Sequence, residues 1–302
     1  MKNLTLRQLR YFEALARHRH FGRAATACAI SQPALSLQIR DLEQALGIDL
    51  VERAARQVRL TDFGEAFALR VRAILGAVED LDDFARSARA DFAGRLRLGV
   101  IPTIAPYLLP GLVGRLLQRF PGLDLNMRES VTPRLLEELG EGRIDAAILA
   151  LPVSGPALKE VALFTEPFMF VRPLAQADRP APDAASLREM RLLLLEEGHC
   201  FRDQALAFCH APASALREGL DGTSLSTLVQ MVGAGLGVTL IPAMAVAVEA
   251  RAAPVSVIAF PEPQPHRTIG MVWRNTNPLA RQFEQIAGFV HRSMAPGAQG
   301  TT

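Results

Sequence analysis

The sequence predicts an α/β protein with three parts: a small all-α head that ends in a two-stranded wing, one long helix, and a two-lobed C-terminal domain. Three observations support this prediction. Residues 1–60 contain capped helical segments. Residues 61–90 carry an apolar heptad pattern along one face. From residue 91 to residue 302, short apolar strands alternate with helical segments, which is typical of α/β domains.

The first two predicted helices form the base of the head. Thr5 and Gln8 have the spacing of a capping box, so a helix begins at this point. Apolar residues then recur at helical spacing at Leu9, Phe12, Leu15 and Ala16. Residues 21–28 predict a short alanine-rich helix, and we expect Cys28 at its end to be a core residue.

A third helix follows a sharp turn. Ser31 is a natural N-cap, Pro33 is tolerated in the first helical turn, and Gly47 ends the helix in a left-handed conformation. The inward apolar positions are Leu35, Ile39, Leu42 and Leu46. Residues 50–52 and 57–60 predict two short strands on either side of an arginine-bearing tip. The order helix, short helix, turn, helix and wing defines a winged helix-turn-helix.

This third helix is the predicted DNA-reading element. In a helix-turn-helix, the helix after the turn enters the major groove with its N-terminal residues on the base edges. Glutamine can pair with adenine, and arginine with guanine or phosphate. The candidate DNA-binding residues are Ser31, Gln32, Pro33, Ser36, Gln38 and Arg40 on the helix and Arg53 and Arg56 in the wing. A solvated helix face would use the same residue types, but the complete order of five elements favours DNA binding.

Charge is distributed unevenly along the chain. Residues 1–60 contain ten Lys/Arg and five Asp/Glu, a net charge of +5, whereas the other 242 residues contain 23 and 26, a net charge of −3. A basic head on a mildly acidic body indicates a nucleic-acid partner at the N-terminus. The chain has three cysteines without a C-x-x-C pair, no signal-peptide core, and no apolar run that approaches roughly 20 residues. We therefore expect a cytoplasmic protein with no membrane span, zinc site or disulfide framework.

The long helix carries a seam of apolar residues. Alternate spacings of four and three connect Phe67, Val71, Ile74, Val78, Leu81, Ala85 and Ala88. A seam sustained over three heptads predicts that helices from two chains pair. A dimer would set two DNA-reading helices on two half-sites. The alternative is that the helix packs on its own domain.

The region 91–302 is predicted to form two Rossmann-like lobes with a cleft between them, because repeated β-α units are interrupted by two crossings of the chain. We assign residues 91–164 and 268–302 to lobe I and residues 165–267 to lobe II. Neither G-x-G-x-x-G nor a P-loop is present, so nucleotide binding is disfavoured.

Residues 192–209 predict a buried apolar strand, a glycine turn, and a helix that begins at His199–Cys200 and contains Cys209. A thiol at a helix N-terminus and beside His199 is favoured as the thiolate. Nine residues of helix rise about 13.5 Å and turn about two and a half times, so the two cysteines lie on opposite faces. A disulfide tolerates a Cα separation of roughly 7 Å, so pairing requires the helix to unfold. This indicates a redox switch, with ordinary packing of buried cysteines as the alternative.

The order of these parts resembles LysR-type transcriptional regulators over essentially the whole chain. The matching motifs in the head are Phe21-Gly-Arg-Ala-Ala, Ser31-Gln-Pro-Ala-Leu-Ser and Leu60-Thr-Asp-Phe-Gly. The motifs that resemble the hydrogen-peroxide-sensing members are Leu195-Glu-Glu-Gly-His-Cys-Phe-Arg-Asp-Gln, Phe208-Cys209, Gly99-Val-Ile-Pro-Thr and Arg267-Thr-Ile-Gly. The family's C-terminal domain resembles periplasmic binding proteins. This sequence departs from many relatives at Phe201, where they have leucine, and near residues 218–221, where some have a histidine.

The resemblance implies roles for individual residues. Cys200 would be the peroxidatic cysteine and Cys209 the resolving one. Thr103 and Thr132 would hydrogen-bond the bound peroxide. His199, Asp203 and Arg267 would surround the thiol as activating and positioning groups. Without the resemblance, helix capping would be the preferred role for the two threonines.

The resemblance also implies partners. These are a double-stranded DNA operator, hydrogen peroxide, RNA polymerase and a thiol reductant of the glutathione or glutaredoxin type, with the chain assembled as a homotetramer of two dimers. It implies no cofactor, no metal and no membrane. Peroxide would be consumed only in proportion to signalling, so we do not expect an enzyme. The resemblance implies an activator of oxidative-stress genes, while the residues themselves leave activation and repression open.

Three other functions fit parts of the sequence. A LysR-type regulator could bind a small effector in the interlobe cleft, with its cysteines as bystanders. A thiol peroxidase would use the same cysteines, but it leaves residues 1–60 and the heptad helix unexplained. A metal sensor could use His199, Cys200, Cys209 and His210, although opposed helix faces disfavour joint ligation.

Overall fold

The computed structural model describes residues 4–52, 58–87, 94–153, 155, 157–209, 221–251 and 253–294. The chain divides into two compact units, Met1–Ala85 with Glu141–Arg143, and Arg86–Gly140 with Ile144–Thr302. Several residues singled out in the sequence lie outside the described residues, namely Arg53, Arg56, Ala88, His210, residues 218–220 and the tail 295–302.

In the first unit, the described residues form α1 (Leu6–His18), α2 (Phe21–Ala27), α3 (Gln32–Leu46), the antiparallel wing strands β1 (Val51–Glu52) and β2 (Arg59–Leu60), and α4 (Asp62–Ser87). The predicted helix ends are confirmed. Thr5 and Gln8 form a reciprocal capping box, the Ser31 hydroxyl accepts a hydrogen bond from the Ala34 amide, and Gly47 ends α3 with φ of 74°.

The wing is fixed to α3 by a buried carboxylate. Glu43 on α3 accepts hydrogen bonds from the backbone amides of Leu50 (2.8 Å) and Val51 (3.1 Å). On the other side, a Cβ added to Gly64 of α4 would lie 2.2 Å from the Leu50 carbonyl oxygen, so only glycine permits this approach. The head therefore holds α3, β1 and α4 in a fixed arrangement.

Cys28 packs against the core of the head, as the sequence predicts, but it is not fully buried. It caps the C-terminal end of α2 and is half-buried against the head's core, because α2 ends one residue before it. Burial, followed by the nearby charge of Glu13, raises the pKa of its thiol.

The heptad seam of α4 changes character along the helix. Val71 is fully buried in the core of the head, whereas the side chains of Ile74 and Leu81 are 47% and 66% exposed. The first part of the seam thus packs within its own unit, as the alternative interpretation required, and the later positions remain exposed.

In the second unit, the strands are β3 (Gly94–Val100), β4 (Leu123–Glu129), β5 (Ala146–Leu151), β6 (Leu158–Pro173), β7 (Thr239–Pro242), β8 (Val255–Ala259) and β9 (His266–Arg274). The helices are α5 (Ala105–Arg119), α6 (Thr132–Gly140), α7 (Ala184–Glu189), α8 (Cys200–Cys209), α9 (Leu225–Gly233), α10 (Val246–Glu249) and α11 (Ala280–Met294). The strand order is β4-β3-β5-β9-β6-β7, with β8 also paired to β6. β3 runs parallel to β4 and β5, and the other pairings in this sheet are antiparallel.

Two separate hydrophobic cores confirm the two-lobed prediction. Lobe I is built around β3, β4, β5 and β9, and lobe II around β7, β8 and the second half of β6. β6 serves both lobes, because residues 158–167 pair with β9 while residues 168–173 pair with β7 and β8.

The prediction of a strand at residues 192–195 is wrong in one respect, because these residues form no continuous strand. Its backbone makes only two isolated parallel bridges among the described residues, Leu192 to Val238 and Leu195 to Gly222. Val238 and Gly222 belong to different segments, so the two bridges do not join into a continuous ladder. The short elements α7, α10 and β8 were not predicted, since segments of four to six residues leave little periodicity to detect.

Candidate redox site

Cys200 lies where the two lobes meet. It is the first residue of α8 and follows a turn at Gly198, whose φ of +91° favours glycine. The thiol is half-buried against the core of lobe I, whereas Phe201, Leu206 and Cys209 of the same helix pack into the core of lobe II. The helix dipole places partial positive charge at the start of α8, beside the thiol.

A small pocket gathers several predicted site residues around this thiol. Its lining consists of Ile101, Pro102, Thr103, Val131, Thr132, His199 and Cys200. Lobe I contributes the residues that follow the carboxyl ends of the parallel strands β3 and β4, and lobe II contributes the residues at the start of α8. The space among these side chains is too narrow for a water molecule.

The two threonine hydroxyls differ in their bonding. Thr132 Oγ1 is buried and has no hydrogen-bond partner within the described part of the chain. Thr103 is also buried, and its Oγ1 accepts a hydrogen bond from the Arg267 guanidinium at 2.8 Å. A hydroxyl that accepts in this way keeps its proton for donation to another group. Both hydroxyls can therefore bind a small polar ligand beside Cys200.

Arg267 is fully buried and lies behind Thr103, outside the pocket lining. Its Nε and one terminal nitrogen donate to Glu166 Oε1 at 2.8 and 2.7 Å, and a terminal nitrogen donates to the Thr103 carbonyl oxygen at 3.0 Å. Glu166 and Arg267 are paired across β6 and β9, next to the change from lobe I to lobe II pairing. Arg267 therefore acts on the pocket through Thr103.

Phe201 connects the redox helix to this ion pair. The ring is buried, packs edge-on against Phe168 with centroids 4.8 Å apart, and lies 5.3 Å from the Arg267 guanidinium carbon. A cation over an aromatic face is attracted by the ring quadrupole. Any displacement of the first turn of α8 must therefore disturb the residues that join the lobes.

His199 and Asp203 differ in their position relative to the thiol. Burial lowers the pKa of His199, with Glu196 opposing the shift, so the imidazole is neutral near pH 7. It lines the pocket as a possible hydrogen-bond partner without adding a positive charge. Asp203 is exposed on the first turn of α8 and is absent from the pocket lining.

Cys209 is fully buried at the other end of α8. Burial raises the pKa of its thiol to about 11, and Arg188 opposes the shift. The helix is continuous from Cys200 to Cys209, so a rise of about 13.5 Å separates them, and both are free thiols. The predicted geometry of two thiols held apart by one helix is confirmed.

A larger cleft of about 550 Å³ adjoins the pocket and shares Pro102, Thr103, Val131 and His199 with it. Glu249 of α10 lines this cleft and accepts hydrogen bonds from the Tyr107 hydroxyl of α5 at 2.7 Å and from Ser226 of α9 at 2.9 Å. Burial and the bond to Glu249 raise the pKa of Tyr107 well above its usual value. The cleft and the narrow pocket therefore share one wall.

On α3, the predicted DNA contacts Gln32, Pro33 and Arg40 are exposed, while Ser36 and Gln38 are half-buried. Gln38 donates a long hydrogen bond of 3.5 Å to Asp41, and Ser31 caps the helix. Sequence reasoning missed Leu37, which is 57% exposed between these polar residues. Apolar side chains in the major groove can contact the thymine methyl group.

Sequence reasoning also missed Glu166, Arg188 and the contacts of Phe201. Glu166 could have been noticed in the sequence, because it is the one charged residue in the apolar segment 161–171. Arg267, in another apolar strand, carries the opposite charge. Among the described residues, no group of three His, Cys, Asp or Glu side chains could hold a metal ion. The described helices include none that is long and apolar enough to cross a membrane.

Comparison with known proteins identifies the class. Residues 6–65 match the model for bacterial regulatory helix-turn-helix proteins of the lysR family, and residues 89–295 match the LysR substrate binding domain. The chain therefore belongs to the LysR family of bacterial helix-turn-helix regulators.

Within this family, the chain is similar to the DNA-binding transcriptional dual regulator OxyR of Escherichia coli K12, with 41% identity over 293 residues and 96% of each chain covered. Full-length OxyR of Pseudomonas aeruginosa, with a cysteine-to-aspartate substitution, aligns at a TM-score of 0.75 and 35% identity, covering 96% of this chain and 95% of that one. A cysteine-to-serine mutant of Corynebacterium glutamicum OxyR with bound hydrogen peroxide aligns at a TM-score of 0.66 and 36% identity, covering 97% and 94%.

Proposed function

We propose that this protein is a DNA-binding transcriptional regulator that senses hydrogen peroxide through oxidation of Cys200 and disulfide formation with Cys209, and that it controls oxidative-stress genes. The observation that carries this proposal is the pocket in which Thr103 and Thr132 meet a thiol at the start of α8. The similarity to proteins named OxyR, one of them with peroxide bound, supports the same function.

The first chemical step is attack by the Cys200 thiolate on one peroxide oxygen. The oxygen–oxygen bond breaks, the sulfur becomes a sulfenic acid, and hydroxide leaves. Thr103 can donate its hydroxyl proton in a hydrogen bond to the departing oxygen, since Arg267 occupies one of its lone pairs. Thr132, whose buried oxygen has no partner within the described chain, would orient the peroxide. The side chains that line the pocket lie close together, so we expect them to move outward when peroxide binds.

The second step joins the two cysteines. The Cys209 thiol condenses with the sulfenic acid, a sulfur–sulfur bond replaces the sulfur–oxygen bond, and water leaves. α8 must unwind, because the intact helix exceeds the separation that a disulfide allows. Unwinding withdraws Phe201 from Phe168 and Arg267, so oxidation disturbs the strands shared by the lobes.

The remaining assignments are part of the proposal. Residues 1–60 would read a double-stranded operator, residues 61–90 would pair two chains through the exposed part of the α4 seam, and residues 91–302 would sense redox state. We further propose that the protein is a cytoplasmic homotetramer that contacts RNA polymerase. It would be reduced by a glutathione- or glutaredoxin-type thiol and would use peroxide stoichiometrically. Arg53 and Arg56 are proposed as DNA contacts from the wing sequence alone.

DNA footprints of the reduced and oxidised protein test this function. An operator is first selected from random duplexes by the reduced protein and, separately, by protein treated with one equivalent of peroxide. We expect peroxide to change the protected bases on the selected DNA, because refolding of α8 alters the regulatory domain. Identical footprints before and after complete oxidation of Cys200 would contradict the proposal.

The cleft of about 550 Å³ favours one second function, binding of a small effector between the lobes. Such a regulator would change its footprint when its effector is added and would respond equally well after substitution of Cys200. The footprints of the Cys200→Ser protein therefore distinguish the two functions.

A further inference from the structure

We propose that Arg188 is a positioning residue that holds the Cys209 end of α8 in the reduced arrangement and thereby limits the rate of disulfide closure. This inference rests on the proposed function. Arg188 lies outside the pocket and controls the second chemical step, disulfide formation. The first step, oxidation of Cys200, does not depend on it.

The contact lies at the C-terminal end of the redox helix. Arg188 is in the last turn of α7, and its Nε donates a hydrogen bond of 2.6 Å to the backbone carbonyl oxygen of Cys209. Arg188 thus ties a carbonyl group in the last described turn of α8 to a different helix. Its positive charge also lies at the negative end of the helix dipole. The neighbouring Leu187 is fully buried, which anchors α7 in the core of lobe II.

The two ends of α8 are held differently. At the N-terminal end, Arg202 donates to the Leu195 carbonyl oxygen at 2.7 Å and pairs with Asp221 at 3.1 Å. That bond to Leu195 stays within one short stretch of chain, because Leu195 lies only seven residues before Arg202. The bond between Arg188 and Cys209 joins two separate helices, so it must break before Cys209 can reach Cys200.

Breaking this bond is part of releasing Cys209 from the lobe II core. Cys209 is fully buried, and the preceding Phe208 packs edge-on against Phe260 with centroids 5.0 Å apart. The Arg188 bond is the charged contact in this group, and hydrogen bonds to charged groups are stronger than neutral ones. It therefore makes a distinct contribution to the barrier for closure.

The delay determines the fate of the sulfenic acid. Closure forms the sulfur–sulfur bond and releases water, with no oxidant beyond the peroxide already consumed by Cys200. Until closure, the sulfenic acid can react with a second peroxide to give sulfinic acid, or with a thiol reductant. Arg188 thus sets the ratio between disulfide signalling and overoxidation at high peroxide.

The test uses the full-length protein and three variants. Arg188→Met removes the donor but keeps an apolar stem, Arg188→Lys keeps the charge without the guanidinium, and Arg191→Met removes a nearby exposed arginine as the matched control. Rapid quenching follows each step separately: a sulfenic-acid trap reports oxidation of Cys200, and mass spectrometry reports the Cys200–Cys209 disulfide. Circular dichroism verifies that the reduced variants retain their helical content.

We expect closure to be about tenfold faster in Arg188→Met, intermediate in Arg188→Lys and unchanged in Arg191→Met, while sulfenic-acid formation keeps its rate in all three. If the substitution destabilises only the reduced state, the midpoint potential of the Cys200–Cys209 couple becomes about 30 mV more negative. For a two-electron couple, this shift is equivalent to a tenfold change in the equilibrium constant. Overoxidation at excess peroxide should decrease in parallel.

Two results would overturn the role of Arg188. One is unchanged closure in a folded Arg188→Met or Arg188→Lys protein. The other is equal acceleration of both chemical steps, which would indicate general loosening of lobe II. Failure of the unsubstituted protein to form the Cys200–Cys209 disulfide would instead overturn the proposed function together with this inference.

Discussion

The Cys200→Ser protein should lose its rapid reaction with hydrogen peroxide, with a second-order rate at least roughly a thousandfold below that of the unsubstituted chain. Serine fits the same space, but its hydroxyl is far less acidic and less nucleophilic than a thiol. Thr103 and Thr132 would still line the pocket, so peroxide could bind without a group to attack it. Stopped-flow consumption of one equivalent of peroxide measures this rate.

The matched control is Cys28→Ser. Cys28 lies in the head, half-buried, and burial raises the pKa of its thiol, which disfavours the reactive thiolate. This variant should consume peroxide at the unsubstituted rate and show the same change in footprint. If rapid oxidation persisted in Cys200→Ser but disappeared in Cys28→Ser, the reactive thiol would be Cys28 in the head. That result would refute the assignment of Cys200.

Replacing Arg267 by methionine should lower the free energy of unfolding of the regulatory domain by about 3–5 kcal/mol. The substitution leaves Glu166 buried without its cation, and breaking a buried ion pair on one side costs this much. It also removes the donor to Thr103 and the cation over the Phe201 ring. Denaturant unfolding of the reduced protein measures the loss, and the peroxide reaction should slow as well, because Thr103 loses its orientation.

The double substitution Arg267→Met with Glu166→Gln separates these effects. A neutral glutamine needs no buried cation, so we expect about half of the lost stability to return while the slow reaction with peroxide remains. An Arg267→Met protein that loses less than about 1 kcal/mol would show that Glu166 is satisfied by other groups. Recovery of the peroxide rate by Glu166→Gln would contradict the route through Thr103.

The parts of the fold that follow from local chemistry were predictable. The capping box at Thr5, the N-cap at Ser31 and the left-handed end at Gly47 each depend on hydrogen bonds or backbone angles within about five residues. The separation of Cys200 and Cys209 required only the helical rise, because both cysteines belong to one continuous helix.

The contacts that complete the site depend on strand register and on distant segments. Glu166 meets Arg267 across 101 residues because β6 and β9 pair in one particular register. Arg188 reaches the Cys209 carbonyl oxygen from another helix. A one-residue change of register would turn Glu166 to the opposite face of the sheet, so composition and periodicity leave such pairs undetermined.

The charges around the thiol were also beyond sequence reasoning. His199 is adjacent to Cys200 in the chain, but its burial keeps the imidazole neutral near pH 7. Asp203 is on the same helical turn and nevertheless faces solvent. Burial depends on the packing of both lobes, which adjacency in the sequence does not reveal.

Mapping the disulfide after one equivalent of hydrogen peroxide tests the central claim most directly. Trypsin cleaves after Arg202 and therefore places Cys200 and Cys209 in separate peptides, residues 192–202 and 203–217, while Cys28 lies in residues 24–40. After alkylation and digestion without reductant, the two peptides should be found joined by a disulfide, with Cys28 alkylated. Recovery of Cys200 as a sulfenic acid or mixed disulfide, with Cys209 still alkylated, would contradict the account.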